Sequence, residues 1–121
     1  MIKSDAGLVP KKKYLQRKLQ QIPDFYDPQY TLDKGADGFT YTPKTYLNHR
    51  IEYKIFEFDE VIDSAESNPS HWQQIAGVIE QNYEEYDSFI VIHGTDTLAY
   101  TASALSFMLE NLSKTVVLTG A

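Results

Sequence analysis

Apolar positions change their period repeatedly along this chain, and each change predicts an element. In KKKYLQRKLQQIPDF, Tyr14, Leu15, Leu19 and Ile22 recur at helical spacing, and Pro23 ends the pattern because it supplies no N–H and its ring clashes with the preceding turn. From residue 24 to 50 the chain is polar, punctuated by Pro28, Gly35, Gly38 and Pro43, with no clear period. So long a stretch without elements is uncommon in a compact domain unless it is a lid, an excursion or a surface that pairs with something else. IEYKIFEFDE then alternates, with Ile51, Tyr53 and Ile55 on one face and a phase change at Phe56 and Phe58, which predicts a strand with a bulge. After DSAESNP, Asn68 suits a helix N-cap and Pro69 the first helical position. Trp72, Ile75, Ala76, Ile79, Tyr83 and Tyr86 continue at the spacing of one buried helical face, or about four turns.

DSFIVIHG is a continuous apolar run bounded by Asp87 and Gly94, as expected of a strand buried on both faces. A second helical stripe follows at Leu98, Ala102, Leu105, Leu109 and Leu112, and TVVLTG is another short apolar run. Strand, helix, strand, helix, strand over 51–121 predicts an α/β fold with a parallel sheet, preceded over 1–50 by a loop-and-helix excursion.

Composition narrows the function. At 121 residues, 42% hydrophobic and 23% charged, the chain has the make-up of one globular domain. A net charge of -6 and a pI of about 4.9 argue against nucleic acid, which needs a basic footprint. Lys3, Lys11, Lys12, Lys13, Arg17 and Lys18 crowd the first eighteen positions, but Asp5 interrupts them, Gly7 and Pro10 break any helix, and no apolar stretch follows. They are read as a solvated face and not as a targeting or membrane arm. The chain has no cysteine, which excludes disulfides, thiol catalysis and cysteine zinc sites. His49 and His71 have no partners at metal-ligand spacing, so no metal site is expected. No apolar run approaches the ~20 residues of a membrane helix, and the chain reads as soluble and unsecreted.

Ligands of open α/β sheets collect at the carboxyl ends of the strands. Two polar turns follow predicted strands: DSA at 63–65 and HGTDT at 93–97. In HGTDT, Gly94 permits a sharp exit, Thr95 and Thr97 offer hydroxyls, and Asp96 puts its charge near a positive helix end. The bland alternative is that Thr or Asp there simply caps the helix. His93, at a strand end, reads as a satisfied structural side chain and not as a base. Asp63 and Ser64 are either a turn leading to the cap at Asn68 or a hydroxyl and a carboxylate converging on a polar ligand.

Taken together, HGTDTLAYTASALSFMLENLSKTVVLTGA closely resembles the second threonine motif of the L-asparaginases, specifically the cytosolic type I group. DSA followed by NPSHWQQIA resembles the segment upstream of it, and MIKSDAGLVP resembles the mobile loop after the family's first threonine motif. The resemblance implies a cofactor-independent amidohydrolase that converts L-asparagine to L-aspartate and ammonia, working as a cytoplasmic homo-oligomer. It implies that Thr95 is the second catalytic threonine, acting with a lysine. Asp96 then binds the amino-acid end of the substrate, and Asp63, Ser64 and Ala65 form the segment that holds its carboxylate, with Ser64 in direct contact. The resemblance places the nucleophile's TGGTI motif before Met1 and the lysine after Ala121, so part of a site is expected, in a chain that is inactive or poorly stable alone. Ala65 departs from a common serine, and Leu8 stands where many bacterial members carry a tyrosine. Two other readings stay open: a non-catalytic binding module derived from such an enzyme, and a subunit of a transfer-RNA-dependent amidotransferase.

Overall fold

The computed structural model describes residues 2–4, 7–9, 11–34 and 38–120, the first two stretches as backbone only. The chain forms two compact units, Met1–Val61 and Ile62–Ala121.

In the first unit, β1 (Ile2–Ser4) and β2 (Gly7–Val9) make an antiparallel ladder from Ile2↔Val9 to Ser4↔Gly7, where the resemblance suggested a mobile loop. The side chain of Leu8 lies outside the described residues. Helix α1 (Tyr14–Leu19) is entered through Lys13, whose left-handed φ of 57° turns its N–H onto both oxygens of Glu57 at 3.0 and 2.8 Å. Arg17 and Lys18 lie in its last turn, where positive charge complements the helix dipole. The helix stops short of Ile22, and the chain continues in tight turns.

A second helix, α2 (Pro28–Lys34), occupies the stretch expected to be irregular. Its start is an Asp-Pro signature. The Asp27 carboxylate accepts from the Tyr30 N–H at 3.0 Å, and Pro28 has no N–H to leave unsatisfied. Arg50 donates to Asp27 at 2.6 Å and to the Thr42 carbonyl at 2.8 Å, with its guanidinium 4.1 Å from the Tyr30 ring centroid. The Tyr30 N–H, and then Arg50, hold the Asp27 carboxyl below its ordinary value of 3.8. A carboxyl lowered in the folded state adds stability that is present above its unfolded value and is lost as pH falls through the folded one. Asp27→Asn is therefore expected to flatten the acid limb of unfolding of this unit, followed by tyrosine near-ultraviolet circular dichroism. Identical acid limbs in the two proteins would contradict this.

The strand expected over 51–60 is realised only as β4 (Glu52–Tyr53), which pairs antiparallel with β3 (Thr40–Tyr41) and joins no parallel sheet. The alternation was real, but a strand needs a neighbour for its backbone groups, and none of the described residues pairs with 54–60.

The second unit is a strand–helix–strand crossover with one helix packed against it. Helix α3 (Pro69–Gln81) starts as expected: Asn68 Oδ1 accepts from the Ser70 N–H at 3.0 Å, and His71 Nδ1 accepts from the Asn68 N–H at 3.2 Å. It ends before Tyr83 and Tyr86. The Tyr83 hydroxyl instead accepts from the backbone N–H groups of Ser113 (2.7 Å) and Lys114 (3.1 Å). The Ser113 hydroxyl, 3.1 Å from that of Tyr83, lowers its pKa first, and these backbone bonds add to it. Strand β5 (Ser88–His93) runs parallel to β6 (Thr115–Gly120), in register from Ser88↔Thr115 to His93↔Gly120, and α4 (Leu98–Met108) connects them. Ile75, Ile79, Leu105 and Thr101 are the buried centre. The expectation that β5 is buried on both faces is corrected here. Phe89, Val91 and His93 are half-buried, whereas Ile90 and Ile92 are 69% and 60% exposed. A continuous apolar run cannot say which of its two faces has a cover, and here only one face has.

Candidate active site

Strand β5 delivers its last residue, His93, beside Gly120, and the chain then turns through Gly94, Thr95 and Asp96 into α4. The other turn, a 3₁₀ element at Ser64–Glu66, docks onto this exit. Gly94 makes the docking possible: a Cβ there would lie 2.3 Å from Ser64 Oγ and 2.6 Å from Ser64 Cβ. Two polar bonds join the turns. Ser64 Oγ donates to Asp96 Oδ2 at 3.3 Å, and Thr97 Oγ1 donates to the Ser64 carbonyl at 2.6 Å.

The candidate residues thus sort by what they do in the free molecule. Ser64 is buried and touches Asp96, while Asp96 itself is exposed. Asp63 shapes its own turn, its carboxylate accepting from the Ala65 N–H at 3.1 Å, so both groups are used locally. Thr95 is exposed, and its hydroxyl is bonded to nothing among the described residues. Thr97 occupies the N-cap position of α4 but makes no side-chain cap bond; its hydroxyl serves the inter-turn contact instead of capping.

Behind the turn runs a part-buried polar chain centred on the buried Thr101. Trp72 Nε1 donates to Thr101 Oγ1 at 3.1 Å, Thr101 Oγ1 lies 3.0 Å from His93 Nε2, and His93 Nδ1 lies 2.7 Å from the Gly94 carbonyl oxygen. Both imidazole nitrogens are engaged, in keeping with a structural histidine and not a free base. Among the described residues no cluster of His, Asp or Glu could hold a metal ion, and no helix is long and apolar enough to cross a membrane.

A family profile described as "Asparaginase, N-terminal" matches residues 1–121. The chain belongs to the asparaginase family. It is 40% identical to L-asparaginase 1 of Escherichia coli over 99% of its own length and 30% of that protein's. It is also 40% identical to the 60 kDa lysophospholipase of Homo sapiens, over 99% of the chain and 21% of the relative. The crystal structure of L-asparaginase I from Vibrio cholerae superposes with a TM-score of 0.67 and 39% identity, covering 93% of this chain and 28% of that one. The chain therefore spans about 30% of the length of the E. coli relative. Its α/β fold, with a parallel β5–β6 pair, matches the N-terminal part of an asparaginase.

Three residues that join the turns or stand behind them carry no clear signal of those contacts in the sequence. Thr97 offers a hydroxyl in the HGTDT turn, but nothing local shows that Ser64 is its partner. Thr101, fully buried, fell between the apolar positions of the α4 stripe, and Trp72 was read as core. The sequence signal they share is a hydroxyl or indole on an otherwise apolar helical face, which must find a partner when buried.

Proposed function

We propose that this asparaginase domain serves the hydrolysis of L-asparagine to L-aspartate and ammonia, by threonine chemistry and without a cofactor. The observation that carries the reading is the joined pair of turns: a buried serine hydroxyl and an exposed carboxylate in contact at 3.3 Å, beside a threonine hydroxyl left open to solvent. A bound amino acid presents one ammonium and one carboxylate. The Asp96 carboxylate complements the first, and the Ser64 O–H, turning from Asp96, complements the second. The Asp63 side chain is already used by the Ala65 N–H, so Asp63 and Ala65 hold the shape of the cradle and Ser64 makes the contact. Thr95 supplies the hydroxyl that works at the side-chain amide; a hydroxyl is a weak nucleophile until a neighbouring base takes its proton, and a lysine is assigned that task by the resemblance. The same resemblance supports a cytoplasmic homo-oligomer.

The test is ammonia release from L-asparagine by the protein at its native length. Asp96→Asn removes the charge facing the ammonium. A hydrogen bond to a charged group contributes about 1.5–3 kcal/mol, so KM is expected to rise by roughly 10- to 100-fold. Because Asp96 is exposed, the melting temperature is expected to stay near that of the wild type. A wild-type protein that releases no ammonia from L-asparagine overturns the reading.

A further inference from the structure

With the imidazole neutral, the two ends fix the direction of every hydrogen bond in the polar chain behind the turn. Indole Nε1–H can only donate, and a carbonyl oxygen can only accept. Trp72 therefore gives its proton to Thr101 Oγ1, and the Gly94 carbonyl takes a proton from His93 Nδ1. A neutral imidazole with Nδ1–H has a bare Nε2, and the Thr101 hydroxyl, already accepting from Trp72, has its own proton to give it. Thr101 has no exposed surface, so water has no ready access to replace either bond.

We propose that Trp72 and Thr101 lock His93 in its Nδ1–H tautomer, and that the locked imidazole is a positioning device for Thr95, acting by holding the Gly94–Thr95 peptide. The proposal rests on the asparagine reading above. Position 94 must be glycine because Ser64 sits where a side chain would be, yet glycine is the residue whose backbone is freest to rotate. The His93 bond removes that freedom at the residue that needs it removed. No peptide bond described is cis, so a carbonyl held toward the imidazole sends the Thr95 N–H to the opposite side and fixes the direction in which Thr95 leaves the strand. Small errors of placement at a reacting hydroxyl are costly in rate and need not alter binding.

The experiment combines nitrogen-15 NMR of the three histidines with kinetics of the native-length protein and of Thr101→Val and Thr101→Ser. Expected is an Nδ1–H signature for His93 in the wild type, shifted toward the Nε2–H form in Thr101→Val, where nothing donates to Nε2. With it, kcat falls by about tenfold while KM for L-asparagine stays within about twofold, and Thr101→Ser restores both signature and rate. The tautomer of the wild type needs no variant, so it decides the matter even if Thr101→Val does not fold. An Nε2–H tautomer in an active wild type, or a Thr101→Val protein with unchanged kcat, overturns the positioning role alone. A wild type without activity on L-asparagine overturns the reading beneath it, and the role with it.

Discussion

Gly94→Ala is expected to abolish most activity and to lower stability together. The new Cβ would sit 2.3 Å from Ser64 Oγ, 2.6 Å from its Cβ and 3.7 Å from its Cα. A hydroxyl can rotate away, but a Cβ is fixed to the backbone, so the 3₁₀ turn at Ser64–Glu66 has to withdraw. The withdrawal stretches both bonds between the turns, Ser64 to Asp96 and Thr97 to the Ser64 carbonyl. Overpacking of this kind costs about 1–3 kcal/mol, and misplacing a binding group by an ångström costs on the order of 100-fold in rate. Gly94 does not lie in the left-handed region, so the effect is one of space and not of backbone strain. That makes it separable. Ser64→Gly on the Gly94→Ala background removes both clashing atoms and is expected to restore the melting temperature while leaving activity low, since the hydroxyl is gone. Thermal unfolding and kcat/KM of the two variants check this, and a Gly94→Ala protein with unchanged values of both would mean that the turns do not dock as described.

Thr95→Val is expected to give the opposite pattern, a large loss of rate with almost none of stability. The hydroxyl is exposed and unbonded among the described residues, and valine has nearly the same shape. Exposed substitutions of this sort stay within about 0.5 kcal/mol. A positioned proton-transfer group contributes roughly 10²–10⁴-fold, so kcat is expected to fall by that much, and Thr95→Ser to recover a substantial part of it. Parallel melting curves and initial rates are the measurement. Unchanged kcat in Thr95→Val would remove Thr95 from the chemistry, and a large fall in melting temperature would mean that its hydroxyl is structural after all.

The contrast between these two residues shows what the sequence could and could not convey. Both turns were legible, because a glycine after an apolar run and polar residues before a helix are local signals, and so were α3 from Asn68-Pro69 and the strand runs of β5 and β6. What a local pattern cannot carry is the partner. The Thr97 hydroxyl looks like a cap until Ser64, 33 residues away, is seen to need it. Thr101 looks like a lapse in an apolar stripe until Trp72 and His93 are found on either side of it. The alternation in 51–60 predicted a strand without saying what it would pair with, and the paired part proved to be Glu52–Tyr53 alone. Helix α2 was missed for a different reason: it is short, and its sequence puts Leu32, 80% exposed, where an apolar stripe would be sought.

The register His93↔Gly120 also orders events during synthesis. A ribosome adds ~5–20 residues per second, so the segment from His93 to Gly120 takes on the order of seconds to make. Until it arrives, the end of β5 has no neighbour in its ladder, and the HGTDT turn has the imidazole behind it but no β6 beside it. The crossover through α4 cannot be bypassed, since parallel strands have no short connection. The nascent chain therefore carries the hydroxyl of Thr95 for seconds before the strand beside its turn is made.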